Sequence, residues 1–267
     1  MRRVTWFLDA ALGAGVVGLV SGAFVPELIA RLPEPAREPE PELEPVGGSS
    51  ASGPAVEPKQ PYVEVAARSG LRWRAAAGGA VAAGLLGARI GWDPALLFLV
   101  FLVPVCVALA VVDWHTRLLP TRLIAPSYVV VAALVVVAWI LTGDTAALVR
   151  SLVGWVASFA FFFVQWFIHP RGLGYGDVRL SGLLGMALGW LGWAPLVLGV
   201  LGGFVLGAVG GGLLSLLRVF RRRHYPFGPF MVLGALVGAT FPDELGAGYA
   251  ALVQVVADRL LAVLGAF

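Results

Sequence analysis

Ala95-Leu96-Leu97-Phe98-Leu99-Val100-Phe101-Leu102-Val103-Pro104-Val105-Cys106-Val107-Ala108-Leu109-Ala110-Val111-Val112-Asp113 is an apolar run without a single charge that ends on an aspartate. An uncharged stretch of this length is that of a helix crossing hydrocarbon. Only helices and closed barrels satisfy their backbone polar groups there, and runs this long and continuous read as helix. The aspartate is the anomaly. A carboxylate at the rim of hydrocarbon is costly to keep charged, so its presence is by default a functional signal. A second one stands in Gly172-Leu173-Gly174-Tyr175-Gly176-Asp177-Val178-Arg179, directly before another apolar run.

The rest of the chain has the same character. Hydrophobic residues make up 59% and charged residues 13%, with a mean hydropathy of +0.87. A soluble domain carries about 25% charged residues, so the soluble globular class is excluded. The pattern predicts an all-α, polytopic transmembrane bundle of about eight spans, near 5–30, 73–91, 95–112, 123–141, 146–168, 180–192, 195–217 and 229–242. The tail 246–267 is a further apolar stretch that carries Asp258 and Arg259. The 35 glycines fit helices that approach closely in lipid. Cys106 is the single cysteine, which excludes an intrachain disulfide and a multi-cysteine zinc site.

Basic residues set the orientation. The loops 31–74, 113–122, 169–179 and 218–228 hold 14 of the 19 Lys and Arg residues. The positive-inside rule makes that side cytoplasmic, with Asp113 and Asp177 on it and the N-terminus outside. A cleaved signal peptide ending near Ser21-Gly22-Ala23 is the rival reading of the N-terminus. It would put the basic loops outside, and the apolar run continues to Ala30. The net charge of +3 therefore reads as topology, with no nucleic-acid partner. Residues 32–62, rich in Pro and Glu and then in Gly, Ser and Ala, read as an extended, disordered cytoplasmic loop. The chain thus divides into a first span (1–31), a loop (32–72) and a membrane-embedded unit (73–267).

Asp113 and Asp177 are separated by two spans, which return the chain to the face it left. Topology therefore allows them to meet. Two neighbouring carboxylates do not both ionise cheaply; one keeps a proton and the other serves as base. Such a pair activates water against a peptide carbonyl and then protonates the leaving nitrogen. Gly172, Gly174 and Gly176 leave the approach to Asp177 free of side chains.

These residues resemble a known family. Gly174-Tyr175-Gly176-Asp177-Val178-Arg179-Leu180 is similar to the Gly-x-Gly-Asp-Val-Lys-Leu motif of type IV prepilin peptidases, which are intramembrane aspartyl proteases. Asp113 through Pro120 is similar to the family's first catalytic motif, an Asp followed by Ile/Leu-Pro. Pro226-Phe227-Gly228-Pro229-Phe230 resembles the entry to its last helix, Gly22-Ala23-Phe24 with Arg31-Leu32-Pro33 the end of its first span, and Pro61-Tyr62-Val63-Glu64 the segment before its second. The matches occur in family order over nearly the whole chain. The resemblance implies Asp113 and Asp177 as catalytic pair, with Gly174, Gly176, Arg179, Pro120 and Gly228 as supporting motif residues, and makes 73–267 an aspartyl peptidase domain. It implies leader cleavage of type IV prepilins or pseudopilins, typically after glycine, at the cytoplasmic face of the inner membrane, with the lipid bilayer as surroundings. Proteolysis requires no cofactor; S-adenosylmethionine enters only where the new N-terminus is methylated.

The chain departs from the pattern in three places. It lacks the two Cys-x-x-Cys pairs that longer members carry in the first cytoplasmic loop, which removes zinc there and puts methylation in doubt. Thr121 stands where Asn or Asp often follows the proline, and Arg179 replaces Lys. His115 and His169 flank the aspartates but lack metal-ligand spacing, and read as interfacial or hydrogen-bonding residues. Arg221-Arg222-Arg223-His224 reads as a lipid-facing anchor, and Trp139, Trp166, Trp190 and Trp193 as interface belts. Glu27 reads as structural, and Asp144, Asp243 and Glu244 fall in outer loops. The rival function is a transporter or noncatalytic assembly protein, which would place its acidic residues near mid-bilayer.

Overall fold

A computed structural model of the protein describes residues 6–34, 60–170, 172–216 and 226–248. The described residues form α1 (Leu8–Ala23), α2 (Val25–Ala30), α3 (Tyr62–Ala66), α4 (Leu71–Ile90), α5 (Ala95–Thr116), α6 (Thr121–Thr142), α7 (Thr145–Ile168), α8 (Tyr175–Leu191), α9 (Trp193–Leu216) and α10 (Gly228–Thr240). There is no strand among them. The protein is an all-α bundle, and the apolar segments marked in the sequence coincide with helices wherever they lie among the described residues.

Four helices, α5, α6, α7 and α9, are long and apolar enough to cross a bilayer. At 1.5 Å per residue, the 22 residues of α5 span about 33 Å. A fifth span arises if α10 is joined to the short helix Pro242–Gly248, from which it is bent by 94°. The first expected span is broken into α1 and α2 at Phe24, ahead of Pro26. The helix after Asp177 starts at Tyr175 and has 17 residues. The loop expected to be disordered falls largely on 35–59, outside the described residues, as do the basic anchor 221–224 and most of the 246–267 tail.

Small residues at a spacing of four line the closest helix contacts. The buried residues of α1 are Ala10, Ala14, Gly18 and Gly22. They face Ala75, Gly79, Ala83 and Gly87 of α4, so closely that a Cβ at Gly22 would stand 2.5 Å from the Ala75 carbonyl oxygen. Gly154 and Ser158 of α7 lie against Gly185 and Gly189 of α8 in the same manner, and Gly199 and Gly203 of α9 against Gly234 and Gly238 of α10. In lipid this backbone proximity supplies the dispersion contact that the hydrophobic effect does not. The α6–α7 connection is only Gly143, left-handed at φ 68°, and Asp144, whose Oδ1 accepts the Ala147 N–H (2.8 Å) and caps α7.

Two helices form the centre. α5 touches α1, α2, α3, α4, α6, α8 and α10, and α8 is surrounded by α5, α6, α7, α9 and α10. From Leu180 to Trp190 every residue of α8 is buried, as expected of a helix that is apolar all round. Trp190 is among them: only 6% exposed, it packs edge-on against Phe98. It therefore belongs to the core and departs from the interface belt, whereas Trp139 and Trp193 are exposed. Asp113 and Asp177 stand near one end of these two central helices.

At that end Glu34 closes the first loop. Its carboxylate accepts the N–H groups of Tyr62 (2.9 Å) and Val63 (3.1 Å), the free donors at the start of α3. Burial, and secondarily the Glu34 charge, push the Tyr62 hydroxyl above its ordinary value. Glu27 pairs with Arg72 in a solvent-accessible ion pair between α2 and α4, a structural role.

Candidate active site

Asp113 lies in the last turn of α5 and is 5% exposed. The helix stops there because Arg117 takes up the left-handed conformation (φ 56°), the one non-glycine residue to do so among those described, and its N–H donates to the Asp113 carbonyl (2.8 Å). The Asp113 side chain turns into the bundle. Its Oδ2 accepts the N–H of Gly228 (2.9 Å), 115 residues away and the first residue of α10. The first N–H groups of a helix lack internal partners and sit at the positive end of its dipole. α10 thus presents its N-terminus to the Asp113 carboxylate.

Asp177 is the third residue of α8 and is 7% exposed. Gly174 is the N-cap. Asp177 reaches back so that its Oδ2 accepts the Gly174 N–H (3.0 Å), while its own N–H donates to the Gly174 carbonyl (3.0 Å). This is the acidic half of a capping box, with the local backbone closed on itself. Oδ1 is different: it is buried and has no hydrogen-bond partner in the protein. Leaving a carboxylate oxygen buried and unmatched is expensive, and such atoms concentrate where chemistry happens. Asp113 is held close by: Leu119 lies against both Gly176, the residue before Asp177, and Gly228, whose N–H donates to Asp113.

The supporting residues converge on the same spot. Gly176 cannot carry a side chain, since its Cβ would stand 2.7 Å from Leu119 Cβ. Gly228 is constrained likewise: its Cβ would stand 2.8 Å from Asp113 Oδ2 and 3.3 Å from Leu119 Cδ2. Pro120 is the extended N-cap of α6 (φ −67°) and fixes the direction in which that helix leaves the site. Arg179 donates to the Thr121 hydroxyl, its guanidinium lies 4.6 Å from the centre of the Tyr175 ring, and its carbonyl accepts the Tyr128 hydroxyl (2.6 Å). The two departures at Thr121 and Arg179 therefore touch each other, tying the start of α6 to the first turn of α8.

Leu119 and Tyr128 were not singled out in the sequence. Tyr128 carried a signal of sorts, a hydroxyl within an apolar helix that needs a partner; Leu119 carried none. His115 contacts the Val111 carbonyl through Nδ1 (2.8 Å), within its own helix. His169 caps the end of α7.

Residues 100–212, which span both aspartates, match the Type IV leader peptidase family. The chain is 34% identical over 168 residues to a prepilin leader peptidase/N-methyltransferase of Burkholderia pseudomallei (strain 1026b), covering 59% of this chain and 50% of the relative. A protein of the same name from Stutzerimonas stutzeri is 28% identical over 179 residues (63% and 59%), and one from Aeromonas salmonicida (strain A449) 29% over 163 (60% and 53%). The chain spans about half the length of the curated relatives it matches. No solved structure matches it.

Proposed function

We propose that the protein is a membrane aspartic endopeptidase of 73–267, anchored also by its first span, that cleaves the leader from type IV prepilin-like substrates at the cytoplasmic face of the inner membrane. The observation that carries this reading is the arrangement of Asp113 and Asp177. Both are buried near one end of the two central helices, each is oriented by a backbone N–H, and one carboxylate oxygen is left unmatched. In the reaction the ionised carboxylate takes a proton from water as the water oxygen attacks the scissile carbonyl. The protonated carboxyl then gives its proton to the amide nitrogen as the C–N bond breaks. The position at helix ends speaks against the transporter reading, which calls for acidic groups at mid-span.

The relatives' names include a second activity, N-methylation, which would draw on S-adenosylmethionine. The apolar crevice between α4, α5, α8 and α10, lined by Leu86, Leu102, Cys106, Leu184, Val232 and Leu236 among others, offers that molecule no charged side chain and no polar group beyond the weakly hydrogen-bonding Cys106 thiol.

The test is leader cleavage of a type IV prepilin in membranes carrying wild type, Asp113→Asn or Asp177→Asn, with equal insertion verified. Cleavage by wild type and its loss in both variants is the expected result. Activity retained in either variant overturns the assignment of the pair. The product mass, read in the same experiment, reports whether a methyl group is added.

A further inference from the structure

Each carboxylate is held by the start of a helix. The N–H of Gly174, the N-cap of α8, donates to Asp177, and the N–H of Gly228, the first residue of α10, donates to Asp113. A side chain from a third place, the turn between α5 and α6, lies against both helix starts. That turn is held at its two ends: Arg117 closes α5 in the left-handed conformation, and Pro120 opens α6 with its φ set by the ring. Between them Leu119 is half-buried. Its Cβ stands 2.7 Å from where a Cβ on Gly176 would lie, with Cγ and Cδ1 at 3.4 Å, and its Cδ2 stands 3.3 Å from where one on Gly228 would lie. One isobutyl group thus meets the first turn of α8 along one side and the start of α10 at its tip. Both neighbours are glycines, so the leucine rests on backbone, and packed atoms in contact pass a displacement on.

We propose that Leu119 is a positioning residue of this site, a spacer whose side-chain volume sets the separation of the α8 and α10 starts and, through them, that of Asp177 and Asp113. Its consequence for cleavage rests on the peptidase reading above and deepens it; the spacing itself does not depend on that reading.

The experiment has two arms, both on full chains in liposomes. The first compares kcat and KM of wild type, Leu119→Met and Leu119→Ala on one prepilin-type substrate, with the midpoint of thermal unfolding measured for each. Truncation to alanine leaves space that the surroundings close only in part, and a shift of about 0.5 Å already exceeds the tolerance of a catalytic constellation. kcat of Leu119→Ala should fall about 10- to 100-fold, with KM moving much less. Leu119→Met conserves volume and should keep most of the wild-type kcat. The second arm needs no substrate. Asp113→Cys and Asp177→Cys are combined in a Cys106→Ser chain, and the rate of oxidative cross-linking between the two new thiols is measured with Leu, Met or Ala at position 119. Alanine should change that rate, and methionine should leave it near that of leucine. Equal cross-linking rates for all three overturn the spacer, as does a Leu119→Ala enzyme with wild-type kcat. Equal loss of kcat in the Met and Ala variants also overturns it, since volume would then not be what matters. Absence of cleavage by wild type, with cross-linking that still follows the size of residue 119, instead overturns the peptidase reading and leaves the spacer standing.

Discussion

Gly228→Ala separates catalysis from stability. The added Cβ would stand 2.8 Å from Asp113 Oδ2 and 3.2 Å from its Cγ, with Leu119 Cδ2 at 3.3 Å. No backbone atom of a packed helix is in its way; what must move is the end of one carboxylate. A comfortable carbon–oxygen contact is roughly half an ångström longer, so the fold accommodates the methyl group by swinging Asp113 away. That motion stretches the 2.9 Å hydrogen bond from the Gly228 N–H. A hydrogen bond to a charged group contributes about 1.5–3 kcal/mol, and a displacement of about 0.5 Å already exceeds the tolerance of a catalytic constellation. Cleavage should fall by about 10- to 100-fold, in keeping with what small misplacements cost in catalysis. The midpoint of thermal unfolding in detergent should move little. The assay is prepilin cleavage in proteoliposomes at matched protein content, alongside unfolding followed by intrinsic fluorescence. Wild-type cleavage in Gly228→Ala would refute the claim that this N–H positions Asp113. A large loss of thermal stability would refute the claim that the carboxylate is the part that yields.

Other perturbations probe different parts of the structure. Gly154→Ala sets a Cβ 2.5 Å from the Gly185 carbonyl oxygen, an atom of the helix backbone that has nowhere to go. It should cost about 1–3 kcal/mol, visible as a lowered unfolding midpoint; an unchanged midpoint would mean α7 and α8 are not in contact there. Glu34→Ala removes the acceptor of the Tyr62 and Val63 N–H groups and should cost about 1 kcal/mol. It should also let the Tyr62 hydroxyl ionise at lower pH, because a neighbouring negative charge that opposed tyrosinate is gone while burial remains; a site-resolved NMR titration showing no downward shift would deny the contact. A carboxyl pair that needs one proton loses its acid as pH rises and its base as pH falls, so kcat/KM should pass through a maximum with pH. A plateau across the carboxylate range would argue for a different mechanism.

Several features of this protein were legible along the chain. Runs such as 95–112 fix helices by length and hydropathy alone, because hydrocarbon accepts little else. The two spans between Asp113 and Asp177 bring both aspartates to one face by parity. The spacing of Gly174 before Asp177 allows a side chain at the third helical position to fold back on the N-cap, a purely local geometry. Small residues four apart, such as Gly18 and Gly22, mark a packing face on their own helix. The face does not name its partner: that α1 pairs with α4, α7 with α8 and α9 with α10 depends on complementary relief between surfaces, which no single helix encodes. The burial of Trp190 follows from the central place of α8, again a property of the assembly. The same holds at the site. The donor to Asp113 is a backbone N–H, a group every residue but proline possesses, and only the docking of α10 selects that of Gly228. Leu119 is one leucine in a leucine-rich chain until the fold sets it between two glycines. Sequence alone determined which segments are helical and that the two carboxylates share one end of the bundle, because those depend on solvent and local spacing. Tertiary structure alone decided what orients the carboxylates and what fills the space beside them, because those depend on contacts between residues far apart in the chain.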